Sequence, residues 1–321
     1  MELNNFRRLA PKILWVVIAI LILYGFSRLY YWTTDGFAIM HIQSDYSYDE
    51  RWVTRPLTPE ERDTVEQALG QPFRYLGKGC QSYVFGSEDG EYVIKFLKYQ
   101  RLREKKWLEI LNFLPFVENY CTKKNEKKRL KRNGVFSSWK LAFDKLSKET
   151  GVVYVHLNKS NDLNKLLSIT DKVGNTYDIN IDNYEFMIQR RATMLCEEID
   201  SYMANGQQNK AGILLKSLVT RILSEYQRGL ADNDHALIQN TGVCCGEPIH
   251  VDIGQFVEEE VVKDPSFHMQ ELYTKMYKFR LWLREKHPSL CDEFEDHLQQ
   301  VIGDDFKTMK PLWRERIEIF Q

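Results

Sequence analysis

From Ile13 to Ser27 the chain carries no charged side chain, and as far as Trp32 only Arg28 interrupts the apolar run. Helical residues rise about 1.5 Å each, so the segment 13–32 covers roughly 30 Å, the thickness of a bilayer's hydrocarbon core. A segment this apolar crosses a membrane unless a fold encloses it. Arg28 lies near one end, where its long side chain reaches the headgroups, and Tyr30, Tyr31 and Trp32 form an aromatic belt. The competing reading is a cleaved signal peptide, but Phe26-Ser27-Arg28-Leu29-Tyr30 is bulky and offers no A-x-A-like site. An uncleaved, single-pass anchor is expected, since no second apolar stretch of this length occurs. Arg7, Arg8 and Lys12 before the span outweigh Arg28 after it, which predicts a cytoplasmic N-terminus and a globular part outside the cytoplasm.

The chain beyond the anchor is long enough for about two domains or one bilobal unit. The 321 residues are 43% hydrophobic and 13% aromatic, which excludes a disordered chain. Lys plus Arg number 44 against 45 Asp plus Glu, a net charge of −1, where a dedicated nucleic-acid binder would be strongly basic. Lys123–Arg132 holds seven basic residues and one acid, Glu126. It is expected as a solvated loop or helix face, with anionic lipid headgroups as a second reading. The six cysteines form no C-x-x-C, so a structural zinc site has no support. Cys80 and the vicinal Cys244-Cys245 would be redox-sensitive if exposed, although buried, unreactive thiols are the expectation.

Thr58-Pro59-Glu60-Glu61 starts a helix, with Thr58 as N-cap and Glu61 closing a capping box, and the helix stops near Gly70. Strands are predicted over 73–76, 82–86 and 91–96, the last two joined by a hairpin turn at Ser87-Glu88-Asp89-Gly90. An amphipathic helix runs through Phe136, Trp139, Phe143 and Leu146 to about Glu149, and strands are predicted beyond it over 152–157, 166–172, 177–181 and 185–189. Past Arg190 the pattern turns helical, over about 192–204 and 209–228, with Ile213, Leu214, Leu218, Ile222 and Leu223 sharing one face of the second helix. Further helices are expected from near Ser266, with Leu272, Met276, Leu281 and Leu283 facing the core, and over 289–302 and 304–319. The chain therefore divides into a basic tail (1–12), an anchor (13–32), a linker (33–57), a β-rich lobe (58–190) and a helical lobe (191–321).

Three segments carry chemistry. Gly77-Lys78-Gly79-Cys80-Gln81-Ser82 joins two strands, and glycines in such a loop let backbone amides approach phosphates closely. Lys95 interrupts the apolar strand Tyr92–Phe96, where an ammonium needs an anionic partner unless the strand is an edge facing water. Beyond the long helix, Asp232-Asn233-Asp234 precedes Asn240, and Asp252 ends a short apolar strand two residues before Gly254. One aspartate to orient a hydroxyl, with an asparagine and a second aspartate to hold magnesium, is the set that phosphoryl transfer requires.

In this order the motifs resemble the protein-kinase-like fold over roughly Phe73 to Phe256. The resemblance implies an α+β chain, bilobal, with a β-rich N-lobe and an α-helical C-lobe, here preceded by one transmembrane helix. It implies ATP and Mg2+ as cofactors. Gly77, Gly79 and Ser82, the last in place of a third glycine, would cover the phosphates that Lys95 contacts. Asp234 takes the catalytic aspartate's role; no His-Arg pair precedes it, so Asp232 is the alternative acid. Asn240, one residue later than H-R-D-x-x-x-x-N predicts, and Asp252 would hold the metal. The helical acid pairing with Lys95 stays open among Glu104, Glu109, Asp144 and Glu149. No Ala-Pro-Glu comes after Asp252, which favours a small acceptor, such as a sugar or a lipid headgroup, over a polypeptide. The alternatives are a catalytically impaired pseudokinase serving as a scaffold, and an unrelated membrane-anchored interaction protein. A globular part outside a bacterial cytoplasm would meet no ATP pool, whereas a eukaryotic secretory lumen would remove that conflict. Asn158-Lys159-Ser160 is a sequon for that setting.

Overall fold

A computed structural model describes residues 2–104 and 115–313. The apolar run belongs to one continuous helix, α1 (Glu2–Thr34), longer at both ends than the expected anchor. Its stretch Leu14–Thr34 is long and apolar enough to cross a membrane, and large side chains along it, such as Trp15, Leu21, Leu23 and Phe26, are exposed. After the single turn α2 (Ile39–Ile42), α3 (Pro59–Leu69) opens on the expected capping box: Thr58 Oγ1 accepts from the Glu61 amide at 3.2 Å and the Glu61 carboxylate accepts from the Thr58 amide at 2.9 Å.

Three antiparallel strands come next, β1 (Phe73–Lys78), β2 (Ser82–Ser87) and β3 (Tyr92–Leu97), close to the predicted bounds. The short α4 (Tyr99–Leu102) leads toward α5 (Pro115–Lys145), whose N-terminal half carries the basic run, on a helix rather than a loop. The chain breaks at Leu146 before a separate turn, α6 (Ser147–Thr150), where one helix to Glu149 was expected. Then β4 (Val152–His156), β5 (Leu166–Thr170), β6 (Thr176–Asn180) and β7 (Phe186–Arg190) complete a curled seven-stranded sheet of order β4-β7-β3-β2-β1-β5-β6. Strand β3 is therefore central, and the edge-strand account of Lys95 is excluded.

The remainder is mainly helical. A two-residue strand β8 (Thr193–Met194) delays α7 (Leu195–Ala204) relative to the expected start, and α8 (Gln208–Gln227) comes after it. Short pieces then build the centre of the molecule: β9 (Leu230–Asp232), α9 (Leu237–Asn240), β10 (Thr241–Cys244), β11 (Glu247–His250) and β12 (Phe256–Glu258). Two helices, α10 (Pro265–Lys286) and α11 (Pro288–Ile302), close the helical part. Where a helix was expected over 304–319, the described residues hold a 3-10 turn at Asp304–Lys307 and irregular chain over 308–313, and 314–321 lie outside them. Ile213 and Leu281 are more than half exposed, because Leu214, Leu215, Leu218, Phe279 and Leu283 already fill the inward faces of their helices.

The sheet has a different core on each face, as alternation requires. Ile94 and Phe96 join Phe37, Tyr83 and Phe85 on the outer face, covered by α3 and the segment leaving α1. Leu97 and Met187 lie on the inner face with Phe136, Trp139 and Phe143 of α5, and with Ile253 and Phe256. The inner core thus joins the sheet to the segment that carries Asp252.

Candidate active site

Lys95 points to the inner face of the sheet, between Val84 of β2 and Met187 of β7. There it lines a cavity of about 420 Å3 between the sheet and the helical part. Gly77, Gly79, Gln81 and Ser82 roof this cavity, Val93, Met187 and Trp139 supply apolar wall, and Val251 to Gly254 form its floor. A Cβ on Gly77 would meet no atom within 4 Å and one on Gly79 only Ser82 Oγ at 3.9 Å, so the space beneath these glycines is left open by the protein itself. The loop is anchored from outside the cavity: Lys98 donates through Nζ to the Gly79 carbonyl, and Arg101 Nη1 donates to the Cys80 carbonyl at 2.7 Å.

Burial pushes the Lys95 ammonium down to about 8, and the negative charge of Asp252 works against that shift. Its Nζ donates to the Val251 carbonyl, one residue before Asp252. Among the described residues no carboxylate forms an ion pair with Lys95. Asp144 pairs with Lys140 at 3.1 Å and Glu149 with Arg228 at 2.5 Å. Glu104 forms no ion pair among the described residues, and Glu109 lies outside them. Trp139 occupies the α5 side of the cavity instead.

Asp252 is exposed to the cavity, and its Oδ1 accepts the Gly254 amide at 3.3 Å. The turn that presents it is clamped by α5: buried Ser138 donates through Oγ to the Ile253 carbonyl and accepts the Phe256 amide at 2.7 Å. Gln81 of the loop reaches down to Gly254, where a Cβ would lie 3.0 Å from its Oε1, and that amide oxygen is buried without a hydrogen-bond donor among the described residues. Gln81 was not foreseen, since nothing local distinguishes it from any other polar loop residue.

Pairing of β9 with β12 brings the second acidic motif alongside. Asp234 Oδ1 accepts the Ala236 amide at 2.9 Å and Oδ2 accepts Gln255 Nε2 at 3.0 Å, three residues beyond Asp252. Asp234 lines a second cavity of about 440 Å3, with His235, Lys278 and Trp313 among its walls. Gln239 lines both cavities.

The other two predicted residues lie in neither. Asp232 is buried beside Lys275, 3.4 Å from its Nζ, and burial raises the Asp232 carboxyl above the usual carboxylate range while Lys275 works to lower it. Asp232 lines neither cavity, and of this interior ion pair only Lys275 borders the second one. Asn240 is also buried, its Nδ2 without a partner among the described residues, and its backbone carbonyl accepts the Val251 amide at 2.8 Å. Gln239 stands five residues after Asp234, the spacing of H-R-D-x-x-x-x-N, and it is the residue that faces the cavities.

His250 Nε2 lies 3.0 Å from buried Glu225, and His235, in the wall of the second cavity, lies 2.9 Å from Glu271 through Nε2. All six cysteines are free; Cys121 and Cys291 are buried, but Cys80 and Cys245 are exposed, contrary to expectation. Asn158 does not present a free acceptor amide, since its side chain makes two 3.0 Å hydrogen bonds with the backbone of Asp49.

No protein-family model and no curated protein matches the chain. Among solved structures it is similar to the bifunctional kinase-methyltransferase WbdD, at 13% identity and a TM-score of 0.35 over 71% of this chain and 47% of that one. It is also similar to Rv3197 from Mycobacterium tuberculosis, in its complex with erythromycin, at 12% identity and a TM-score of 0.34 over 95% of this chain and 88% of that one. The chain spans about half the length of WbdD.

Proposed function

We propose that the chain is a membrane-anchored, kinase-like phosphotransferase that binds Mg-ATP in the first cavity and receives a small or membrane-proximal hydroxyl acceptor in the second. The observation that carries this reading is the convergence of Lys95 from the sheet and Asp252 from the helical part on one cavity, beneath glycines that leave room for a ligand. Lys95 holds the phosphates with a charge already made costly by burial, so an anionic ligand relieves it. Asp252, with one weak internal hydrogen bond, has oxygens free for a hard cation, and magnesium needs only one or two carboxylates when phosphates complete its shell. When bound, that ion neutralises charge on the transferring phosphoryl group. Asp234, held by Gln255 and the Ala236 amide, orients the acceptor hydroxyl and takes its proton, and Gln239 lies between the two ligands.

The full chain in lipid nanodiscs should gain thermal stability with Mg-ATP. A ligand at a hundred times its dissociation constant contributes about 2.7 kcal/mol. Lys95→Ala and Asp252→Ala remove most of that shift. Asp234→Asn keeps it and loses ATP turnover. A wild-type chain with no shift at millimolar Mg-ATP refutes the reading. A second reading, a nucleotide-binding module without turnover, is favoured by the lack of a carboxylate paired with Lys95 among the described residues. It predicts the shift without phosphate release.

A further inference from the structure

The segment leaving the membrane helix is fastened to the strand that feeds the glycine loop. Helix α1 ends at Thr34, and Asp35 and Gly36 take left-handed φ angles of 54° and 73°. A Cβ on Gly36 would lie 2.7 Å from the Tyr31 ring, so only glycine turns the chain here. The turn drives Phe37 into the outer core of the sheet, edge-on to Tyr83 and Phe85 at 5.2 and 5.3 Å. It also presents the Gly36 carbonyl to Tyr83 OH at 2.5 Å.

Asp35 faces β1. Its carboxylate lies 3.1 Å from Lys78 Nζ, 3.2 Å from Lys172 Nζ and 3.1 Å from Tyr75 OH. Burial works to raise its pKa, and hydrogen bonds from Lys78, Lys172 and Tyr75 outweigh burial, leaving it below the ordinary range and ionised at neutral pH. Lys78 also donates to the Asp35 carbonyl at 3.1 Å and sits 4.1 Å above the Tyr31 ring. Lys78 lies between Gly77 and Gly79, whose Cβ positions face open space apart from Ser82 Oγ at 3.9 Å from that of Gly79.

We propose that Asp35 is a positioning residue for the nucleotide, holding the glycine loop in its binding-competent place through Lys78. This rests on the nucleotide reading above and extends it: loop geometry is set by the segment that emerges from the membrane. Glycine-rich backbone loses much conformational freedom when a ligand orders it. A contact that orders the loop beforehand raises the competent fraction, and apparent affinity rises in proportion.

The test uses the full chain in nanodiscs, titrated with Mg2+ and a fluorescent ATP analogue. Asparagine tolerates the left-handed backbone, so Asp35→Asn removes the charge without forcing the turn. Its dissociation constant should rise about fivefold, the equivalent of about 1 kcal/mol for one ion pair. Lys78→Met should weaken binding by a similar factor. The double variant should be no worse than either single, as expected of residues that act as a unit. The nucleotide-free melting temperature should stay close to wild type. A fall in that temperature with unchanged affinity makes the contact merely structural and overturns the proposal. Tighter binding by Asp35→Asn also overturns it, since Asp35 would then be withholding Lys78 from the phosphates. Additive single effects likewise overturn it. A wild-type chain that binds no analogue removes the nucleotide reading and this inference together, whereas equal binding by wild type and Asp35→Asn removes this inference alone.

Discussion

Replacing Lys95 with methionine should make the nucleotide-free protein more stable while removing its capacity to bind nucleotide. Burial lowers the ammonium from 10.5 to about 8. Each pKa unit corresponds to about 1.36 kcal/mol, so keeping the charge in the folded state costs about 3 kcal/mol. Methionine has a similar shape and carries no charge, but it forfeits the hydrogen bond to the Val251 carbonyl, worth about 1 kcal/mol. The net gain is about 2 kcal/mol, or roughly 3 °C for a chain of this size. The unfolded lysine holds its proton up to about pH 10.5 and the folded one only to about 8, so wild-type stability rises with pH across that window. The advantage of Lys95→Met is therefore complete below pH 8 and closes as pH approaches 10.5. Thermal and urea unfolding of the full chain in detergent at pH 7, 8.5 and 10 measures it. A variant no more stable than wild type at pH 7, or a gap that does not narrow between pH 8 and 10, refutes the reasoning that Lys95 is held at a cost for a ligand.

Asp232→Ala should destabilise the fold by about 3–5 kcal/mol, because it strands the Lys275 ammonium in the interior; urea unfolding reads this, and the double variant with Lys275→Met should recover much of the loss. Affinity for the fluorescent ATP analogue should fall roughly tenfold or more between pH 7 and 9.5, as Lys95 and Lys98, both near 8, lose their protons. A pH-independent affinity would exclude Lys95 as the phosphate-binding group. Reporters active on only one side of a membrane, fused after Gln321, should place the globular part opposite the Arg7-Arg8-Lys12 end, as the charge bias around the span predicts.

The amino-acid sequence by itself determined the elements whose signals are local. The apolar run set α1, Thr58 and Glu61 set the start of α3, and alternation of apolar residues set β1 to β3. Periodicity also separated the strand-rich part from the helical part near Arg190. Each of these depends on neighbours a few residues apart, so the pattern and its cause lie in one stretch of chain. Pairings between distant segments were decided only in three dimensions. Whether Lys95 sat on an edge or at the centre depended on β7, nearly a hundred residues later. Asp232 and Asp234 stand two residues apart, yet the β9–β12 pairing and Lys275 bury one while the other borders a cavity. Gln239 lines the cavities and Asn240 does not, because the chain turns into β10 at that point, placing one amide at the cavities and the next in the interior. The fastening of Lys78 by Asp35 joins residues 43 apart through a turn that only Gly36 permits. Burial and charge pairing are properties of the packing that the whole chain builds around a residue, and no local pattern carries them.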